Sequence, residues 1–431
     1  MRLLIIGAGP GGYETAVEAA KRGMEVTLIS EGPLGGTCLN EGCIPTKTFC
    51  HYAEMIEQNL KAGLDCKPTF AAAAERKQAV IEQLRGGIDM LLKGVEVVQG
   101  RAQFKNAKTV VCNGQEYTAD KIIIATGSVS ASLPVPGAES CITSKEILEL
   151  TEAPESLCVI GGGVIGLEFA SIFRSFGSEV TVLEFCPNIL PRFDSDLAKR
   201  LKQSLSKRGI NIEVQAQVTR IDGNNVTYIK KEKECTVQAE KVLMAVGRRP
   251  NTEGLNLEAA GIDYTRKGIT VNDRFETSVP GVYAIGDVTG GIMLAHAATY
   301  QGLHALNCIC GQEDSIRFDL VPAAVFTMPE VAMVGLTEEQ CKEQNLEVRC
   351  LKSFYRANGK AVSMDETDGY CKVIVGADGA ILGAHIMGAH ASDLIHEITT
   401  AINLGASLDQ FQSVIHAHPT LSEVMQSALH Q

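Results

Sequence analysis

The sequence has no run of about 20 apolar residues, no cluster of basic residues and no low-complexity linker. Without a long apolar run, no transmembrane helix is predicted. The absence of basic clusters, with a formal net charge of −12, argues against binding to nucleic acid or to anionic membranes. Without a linker, the domains of the 431-residue chain should pack closely, and the length predicts about three of them.

The chain also lacks the features of a secreted protein. Its apolar start, residues 3–6, runs directly into a glycine motif and predicts a strand rather than a signal peptide. We therefore expect a cytoplasmic protein. Most of the 14 cysteines lie singly in apolar segments, as at Cys158, Cys186 and Cys371, and are interpreted as small buried hydrophobic residues.

Metal binding is not predicted. Cys308 and Cys310 form a Cys-x-Cys pair, which is the one candidate that the spacing suggests. They lack a second cysteine pair, and we expect no histidine beside them.

The strongest pattern is a unit of strand, G-x-G-x-x-G turn, helix and second strand that occurs twice. In such a unit the first glycine permits the tight turn, the second admits a pyrophosphate and the third lets the helix pack on the strand. The second strand ends at or beside an acid that suits ribose hydroxyls. These residues are Gly7, Gly9, Gly12 and Glu31 in the first copy, and Gly161, Gly163, Gly166 and Glu184 in the second.

Two dinucleotide sites in one enzyme indicate a flavin and a nicotinamide that exchange hydride. Glu184 favours NAD over NADP, because a carboxylate repels a 2′-phosphate and no arginine follows it directly.

Residues 36–47 read GTCLNEGCIPTK, with Cys38 and Cys43 between glycines and a proline. The glycines and Pro45 could shape a turn that brings the two Cα atoms within the ~7 Å a disulfide requires. A redox-active dithiol would then lie next to a carrier of two electrons. A pair of buried free thiols is the alternative.

The tail contains HAHPTLSE at residues 416–423. Thiol–disulfide exchange needs a base to form the thiolate. His418 suits this role if Glu423, five residues later, fixes its tautomer. A histidine satisfied within the core is the alternative.

At this point the motifs resemble a known family. GGTCLNEGCIPTK, ATGS, GGGVIGLE, VGRRPNT, AIGDV and HAHPTLSE occur in the order found in the flavin-dependent pyridine nucleotide–disulfide oxidoreductases of class I. The resemblance covers essentially the whole chain, and it favours the redox dithiol and the catalytic histidine over their alternatives.

The resemblance implies an α/β fold with two Rossmann-like dinucleotide-binding domains and a C-terminal α+β dimerisation domain. The expected divisions are residues 1–135 for the first part of an FAD-binding domain, 136–251 for an NAD-binding domain, 252–318 for the second part of the FAD domain, and 319–431 for the dimer interface. The predicted helical region between the two glycine units spans about 46–94.

The resemblance also implies the cofactor contacts. Glu31 and the first glycine set should hold the adenosine half of FAD, and Asp287 its flavin side. Glu184 and the second glycine set should bind NAD. Three further positions in the ATGS and VGRR motifs are expected to bind cofactor: Thr126, Gly127 and Gly247.

For the reaction, the resemblance implies that Cys43 lies against the isoalloxazine and forms the charge-transfer thiolate, while Cys38 attacks the substrate disulfide. Lys47 and Glu168 should pair near the flavin, with Lys47 also in contact with the cofactor. His418 is expected to be the acid–base, oriented by Glu423 and delivered to the cysteines of the partner subunit in a homodimer.

Within the family, the chain most resembles NAD-linked dihydrolipoyl dehydrogenases. These oxidise protein-bound dihydrolipoamide, so the expected partner is a lipoyl-bearing protein of a 2-oxo acid dehydrogenase or glycine cleavage complex. The segments IPTK and HPTLSE and the residue Glu184 differ from the glutathione-reductase pattern, and the C-terminus lacks the cysteine pair typical of mercuric reductases.

Two alternatives stay open. The first is a reductase of another disulfide or of a metal ion, and the second is a non-catalytic flavoprotein sensor or binding subunit. One departure concerns Gln301, which stands where the family commonly has a glutamate, so the usual contact of that position is in doubt. No lipoyl domain precedes Met1, so the dithiol is expected from another protein.

Overall fold

The computed structural model describes residues 1–65 and 68–431. The predicted helical region 46–94 includes Cys66 and Lys67, which lie outside the described residues. Within the described ranges, no helix combines the length and the apolar character needed to cross a membrane.

The first segment contains the first glycine unit and a small antiparallel sheet. Its elements are β1 (Arg2–Ile6), α1 (Pro10–Lys21), β2 (Glu25–Ser30), α2 (Gly36–Glu41), α3 (Cys43–Lys61), α4 (Phe70–Leu91), β3 (Glu96–Gln99), β4 (Ala102–Asn106), β5 (Thr109–Cys112), β6 (Gln115–Thr118), β7 (Lys121–Ile124) and β8 (Ser128–Ser130).

The second segment repeats this plan. Its elements are β9 (Ser156–Ile160), α5 (Val164–Ser175), β10 (Glu179–Glu184), α6 (Ser195–Lys207), β11 (Ile210–Val214), β12 (Gln217–Asp222), β13 (Asn225–Lys230), β14 (Lys233–Gln238), β15 (Lys241–Met244) and β16 (Arg248–Pro250).

A third, shorter segment returns to the first unit, and the last segment forms the tail. The third contains α7 (Leu257–Ala260), β17 (Tyr264–Thr265), β18 (Gly268–Ile269), β19 (Val282–Ala284) and α8 (Ala295–Ile309). The tail contains β20 (Ala323–Val325), β21 (Val331–Gly335), α9 (Glu338–Glu343), β22 (Val348–Phe354), α10 (Gly359–Ser363), β23 (Tyr370–Gly376), β24 (Ile381–Met387), α11 (Ala391–Asn403), α12 (Leu408–Gln412) and α13 (Glu423–Leu429).

The two glycine units build two parallel sheets of the same design. The first sheet has the order β19–β7–β1–β2–β3, and the second has the order β15–β9–β10–β11. In both, the strand before the glycine turn lies between the strand that follows the helix and a strand from later in the chain. Ligands of such sheets bind outside the carboxyl ends of the strands, at the point where the order reverses.

Each sheet is covered by helices on one face and by a three-stranded antiparallel sheet on the other. In β1, Leu3 and Ile5 pack with apolar residues of α1 and α8, whereas Leu4 and Ile6 pack with β4 and β5. Strands buried on both faces are continuous apolar runs. The sequence LLII of β1 therefore has no polar alternation.

The third glycine of each motif is required by the packing of its helix. A Cβ on Gly12 would lie 1.8 Å from the carbonyl oxygen of Gly7, and one on Gly166 would lie 2.0 Å from that of Gly161. Real Cβ atoms do not approach this closely, so α1 and α5 can sit on their strands only with glycine at these positions.

The tail forms a separate antiparallel sheet of order β20–β21–β24–β23–β22. Its apolar core includes residues of α11 and α13. Strands β23 and β24 form a hairpin that turns through Asp378 and Gly379. The predicted fold class, two dinucleotide-binding units followed by an α+β domain, is confirmed. The domain boundaries stay a prediction.

Candidate active site

A single large cleft connects the first glycine motif with the cysteine pair. Its volume is about 1390 Å³, and its wall includes Gly9, Cys38, Cys43 and Lys47. It lies at the carboxyl end of β1, where the parallel sheet reverses its order. Residues of α8 and of the tail helix α11 complete the wall. A cleft of this volume suits a dinucleotide rather than a small substrate alone.

The cysteine pair is held by two consecutive helices. Cys38 lies in the short α2, Cys43 is the first residue of α3, and a disulfide joins them with Cα atoms 4.7 Å apart. Gly42 separates the helices with an irregular backbone conformation, φ −149° and ψ −108°. The sequence-based interpretation of a turn is therefore incomplete. Because the second helix begins at Cys43, this cysteine lies at the N-terminus of a 19-residue helix. That position favours a negative charge on its sulfur.

Lys47 follows Cys43 by one turn of α3 and forms a double ion pair with Glu168 of α5. The Nζ atom lies 3.0 Å from Oε1 and 2.9 Å from Oε2 of Glu168. Glu168 is only 3% exposed, and it also accepts the backbone N–H of Phe326 at 3.0 Å. The ring of Phe326 lies 4.4 Å from Nζ. The pair therefore ties the cysteine-bearing helix to the second glycine unit and fixes a cation in the cleft wall.

A second thiol on the same helix does not compete with Cys43. Cys50 donates a hydrogen bond to the carbonyl oxygen of Phe326 at 3.4 Å. Burial, with the nearby carboxylate of Glu168, raises the pKa of Cys50 far above its ordinary value. Cys50 is therefore an inert, protonated neighbour of the redox pair.

The first glycine motif fits the pyrophosphate of a dinucleotide. No atom of the described residues lies within 4 Å of the point where a Cβ on Gly9 would stand, so the backbone there is open to a ligand. Gly9 is also the N-cap of α1, whose free N–H groups suit phosphate oxygens. Glu31 is exposed just beyond β2 and lines the same cleft, as does Thr126 together with Gly127.

Asp287 belongs to a hydrogen-bond chain that the sequence analysis did not detect. Oγ of Ser128 donates to Asp287 at 2.5 Å, and Nε of Arg248 donates to Oγ of Ser128 at 2.7 Å. Burial lowers the pKa of Arg248, although the negative charge of Asp287 acts in the opposite direction. All three residues line the cleft. The strands that carry Ser128 and Arg248 are paired, so the chain links the two units and positions the Asp287 carboxylate.

Gln301 retains a clear contact despite its departure from the family pattern. It is 4% exposed, and its side-chain oxygen accepts the backbone N–H of Gly286 at 2.7 Å. Gly286 directly precedes Asp287. An amide oxygen thus accepts the hydrogen bond that a carboxylate could accept, and it fixes the AIGD turn without a charge.

The second glycine motif has the same open geometry, and its acid is fixed by the backbone. No atom of the described residues lies within 4 Å of a Cβ built on Gly163. Glu184 is 7% exposed. It accepts the N–H of Gly162 through Oε2 and that of Cys186 through Oε1, each at 2.6 Å. The carboxylate is therefore held at the end of β10.

Cys186 is partly exposed, so the expectation that it is buried is wrong.

In the tail, His418 and Glu423 form the predicted type of pair. Nδ1 of His418 lies 2.9 Å from Oε1 of Glu423. The backbone N–H of Thr420 and then His418 hold the pKa of Glu423 below its ordinary value. His418 is 78% exposed. The neighbouring His416 is different, because its side chain is only 4% exposed and forms a hydrogen bond with Glu397. In this segment His416, and not His418, is the buried histidine with a structural partner.

The structure brings together Cys38 with Cys43, Lys47 with Glu168, and His418 with Glu423. It does not bring His418 to the cysteines of its own chain, because His418 is not among the residues that line the cleft. Gly247 directly precedes β16, which pairs with β8 between the two units, and its carbonyl oxygen accepts the backbone N–H of Ala131 at 3.0 Å.

Comparison with known proteins matches residues 1–302 to the pyridine nucleotide-disulphide oxidoreductase family and residues 321–429 to the dimerisation domain of that family. The chain belongs to this family, as the motifs predicted. It is 42% identical to a dihydrolipoyl dehydrogenase of Geobacillus stearothermophilus over 444 residues, which span 99% of this chain and 94% of the relative. It is 40% identical to that of Thermus scotoductus, over 99% of this chain and 96% of the relative.

Solved structures with the same fold cover the whole chain. The HOCl-induced flavoprotein disulfide reductase RclA of Escherichia coli is 32% identical, with a TM-score of 0.90 over 100% of this chain and 99% of that one. LpdA of Mycobacterium tuberculosis is 28% identical, with a TM-score of 0.91 over 100% and 99% of the two chains.

Proposed function

We propose that the protein is a homodimeric, FAD-dependent dihydrolipoyl dehydrogenase that oxidises protein-bound dihydrolipoamide to lipoamide and reduces NAD⁺. The observation that carries the proposal is the Cys38–Cys43 disulfide in the wall of the cleft that begins at Gly9. The two relatives named dihydrolipoyl dehydrogenase, which match 99% of this chain, support this choice of substrate. The partner would be the lipoyl-bearing protein of a 2-oxo acid dehydrogenase or glycine cleavage complex.

The first chemical step is thiol–disulfide exchange at the cysteine pair. A thiolate of dihydrolipoamide attacks Sγ of Cys38, the Cys38–Cys43 bond breaks, and Cys43 leaves as a thiolate. The second substrate thiolate then attacks the mixed disulfide, which closes the lipoamide ring and releases the Cys38 thiolate. Cys43 is the better leaving group, because the N-terminus of α3 stabilises its negative charge.

The substrate thiols must lose their protons, and His418 is the base we assign to this. A carboxylate at Nδ1 fixes the imidazole proton on that nitrogen, so Nε2 is the acceptor. Since His418 is exposed and lies outside its own cleft, it would serve the cysteines of the partner subunit.

The two glycine units would hold the two cofactors. Gly7, Gly9 and Gly12, with Glu31, Asp287, Thr126 and Gly127, fit FAD in the cleft, and Gly161, Gly163, Gly166 and Glu184 fit NAD. FAD, when bound there, would supply the two-electron and hydride chemistry that links the reduced cysteine pair to NAD⁺. Lys47, held by Glu168, would place a positive charge beside this site.

Steady-state rates test the proposal directly. We expect the purified, FAD-loaded protein to reduce NAD⁺ with dihydrolipoamide at least about a hundredfold faster than it oxidises NADPH with glutathione disulfide. A faster glutathione reaction, or no turnover of dihydrolipoamide, would refute the proposed substrate. A protein that binds FAD but turns over neither substrate would be the sensor or binding subunit considered above.

One solved structure favours a second candidate. The E. coli flavoprotein disulfide reductase that shares this fold is also described as a Cu(II) complex. We therefore also measure the oxidation of NADH with Cu(II) and, separately, with lipoamide as the electron acceptor. Reduction of Cu(II) at a higher kcat/KM than lipoamide would favour the metal-ion reductase.

The two cysteines should differ when either is replaced. In Cys38→Ser, the remaining Cys43 thiolate should give a long-wavelength absorbance with FAD, while turnover falls by at least about a hundredfold. In Cys43→Ser the absorbance should be missing, although turnover is lost as well. The visible spectrum of each FAD-loaded variant, taken without reductant so that the flavin stays oxidised, measures this. Absorbance in Cys43→Ser and none in Cys38→Ser would reverse the assignment.

Glu184 should determine the choice of nicotinamide. Glu184→Gln removes the charge that opposes a 2′-phosphate and one acceptor, and a hydrogen bond to a charged group is worth roughly 1.5–3 kcal/mol. We expect kcat/KM for NAD⁺ to fall about tenfold or more and the NAD⁺/NADP⁺ ratio to narrow. Glu179→Gln, at the exposed start of the same strand, is the matched control. A ratio that is equal in both variants would contradict the assignment.

A further inference from the structure

A second arrangement of nucleophile, base and acid lies outside the cleft, at the C-terminal end of α8. Nε2 of His304 lies 3.6 Å from Sγ of Cys308, and Nδ1 of His304 lies 2.9 Å from Oδ2 of Asp314. The expectation that Cys308 has no histidine beside it is wrong. Residues four apart lie side by side on a helix, so α8 brings His304 to the thiol.

The orientation of His304 is fixed on both sides. The rings of Phe275 and Phe318 meet its imidazole edge-on, with centroids 5.9 Å and 5.6 Å away. Asp314 also accepts a hydrogen bond from Asn307 at 2.8 Å, so the carboxylate is fixed as well. Because an ionised carboxylate can only accept, the proton of neutral His304 lies on Nδ1, and Nε2 can accept the proton of the thiol.

Three polar side chains lie around Cys308. His304 faces it from its own helix, Arg274 from the turn before β19, and Tyr283 from β19 itself. Nη2 of Arg274 donates a hydrogen bond to the backbone carbonyl oxygen of Cys308 at 3.4 Å. Burial and then Glu276 raise the pKa of Tyr283, so the phenol stays neutral at pH 7. A guanidinium and an imidazole beside a partly exposed thiol are the surroundings of a reactive cysteine.

We propose that Cys308 is a second reactive thiol, which hydrogen peroxide oxidises to a sulfenic acid, with His304 as the base and Asp314 as the residue that orients it. His304 takes the thiol proton, and the thiolate sulfur attacks one peroxide oxygen. The S–O bond forms as the O–O bond breaks, and the hydroxide that leaves receives the proton from His304 as water. Sulfur loses two electrons and peroxide gains them. This site is separate from Cys38 and Cys43, since none of its three residues lines the cleft.

Alkylation of the oxidised, FAD-loaded dimer tests whether the thiol is activated. Cys38 and Cys43 are then protected as a disulfide, and Cys310→Ser leaves Cys308 as the only thiol of its tryptic peptide. At pH 6 an ordinary thiol is about 0.3% thiolate. A base beside the thiol, as His304 is, can take the proton while the sulfur reacts, so the rate no longer depends on that small fraction alone. We therefore expect iodoacetamide to label Cys308 about tenfold faster than the partly exposed Cys235.

The variants decide between an activated and an ordinary thiol. In His304→Gln the rate at Cys308 should fall to that of Cys235, and its pH profile should become that of an unassisted thiol. Asp314→Asn should cause a smaller fall and serves as a second variant if His304→Gln does not fold. FAD absorbance and lipoamide turnover should stay normal in both. Equal labelling of Cys308 and Cys235, or an unchanged rate in both variants, would overturn the proposal.

Peroxide itself is the last part of the test. One equivalent of hydrogen peroxide followed by dimedone should give a sulfenic acid adduct at Cys308, detected by peptide mass. The adduct should be missing in Cys308→Ser and at least about fivefold weaker in His304→Gln. Fast alkylation without any adduct would show a reactive thiol that peroxide does not oxidise, and would refute the proposed reaction.

Discussion

A mixed dimer with Cys38→Ser in one subunit and His418→Gln in the other should recover up to about half of normal activity, although each homodimer is nearly inactive. Removal of a general base costs about a hundredfold to ten-thousandfold, and removal of the interchange thiol stops the exchange. In the mixed dimer, one site would combine both defects. The other would have an intact Cys38 and an intact His418 from the partner, as an isologous two-fold contact requires.

The geometry that motivates this experiment is the position of His418 on its own subunit. The imidazole is 78% exposed, lies outside the cleft that contains Cys38, and belongs to the segment that matches a dimerisation domain. Two different affinity tags allow the mixed dimer to be purified, and FAD absorbance reports its folding. His416→Gln is the control for the tail, because His416 is bonded to Glu397 in the core. An inactive, FAD-loaded mixed dimer would mean that His418 serves its own chain.

The parts of the fold that the sequence predicts well are those with local steric causes. The third glycine of each motif is such a case, because any Cβ at Gly12 or Gly166 would meet the carbonyl oxygen of the preceding turn. The strands before them are continuous apolar runs for an equally local reason, since both of their faces are covered. Two units of this kind, each followed by an acid, therefore predict two parallel sheets without any knowledge of the partner strands.

The cysteine segment shows where composition misleads. Its glycines and proline are typical of a turn, yet the structure has α2 and α3 there. Pro45 is compatible with this because it is the third residue of α3. A backbone N–H in the first turn has no acceptor within the helix, so its absence costs nothing. The composition of this segment therefore does not predict that a helix begins at Cys43, because its glycines and proline are equally common in loops.

Contacts between distant segments could be predicted only from the family resemblance, or not at all. Lys47 and Glu168 are 121 residues apart, and Ser128 and Asp287 are 159 apart. No local pattern connects either pair. Docking of the two units brings Lys47 to Glu168, and the return of the chain to the first unit through β19 brings Asp287 to Ser128. The contact of His304 with Cys308 is different. These residues are four positions apart, so a helix at this point is enough to bring them together, and the sequence alone could have predicted the contact.

A buried ion cluster between the second unit and the tail sheet is another contact that no motif indicates. Nζ of Lys372 on β23 lies 2.7 Å from Asp194 and 3.0 Å from Glu338, and the side chains of Lys372 and Asp194 are fully buried. Burial raises the pKa of Asp194, but His385 and the Lys372 ammonium outweigh it, so that pKa lies below its ordinary value. Hydrogen bonds from Lys342 and Lys372 lower the pKa of Glu338 to about 2.

Lys372→Met should therefore destabilise the protein strongly, because it leaves the buried Asp194 carboxylate without its cation. Breaking one side of a buried pair costs about 3–5 kcal/mol, measured as the shift of the urea unfolding curve of the FAD-loaded protein at pH 7. Lys352→Met is a matched control. Lys352 lies directly opposite Lys372 in the sheet and pairs with Asp196 at 2.8 Å, but both side chains are about one-third exposed. Such exposed pairs contribute about 0–1 kcal/mol.

The pH dependence of this difference gives a second, independent check. Groups with a lowered folded-state pKa stabilise the protein above their ordinary pKa, and that contribution is lost as the pH falls toward the folded value. Asp194 and Glu338 are of this kind, so the difference in the free energy of unfolding between wild type and Lys372→Met should shrink between about pH 4.5 and pH 2, where both carboxyl groups become protonated.

The double variant Asp194→Asn with Lys372→Met should lose less free energy of unfolding than the sum of the two single changes, because it leaves no unpaired charge at that contact. Equal destabilisation by Lys372→Met and Lys352→Met would mean that the cluster is no stronger than a surface ion pair.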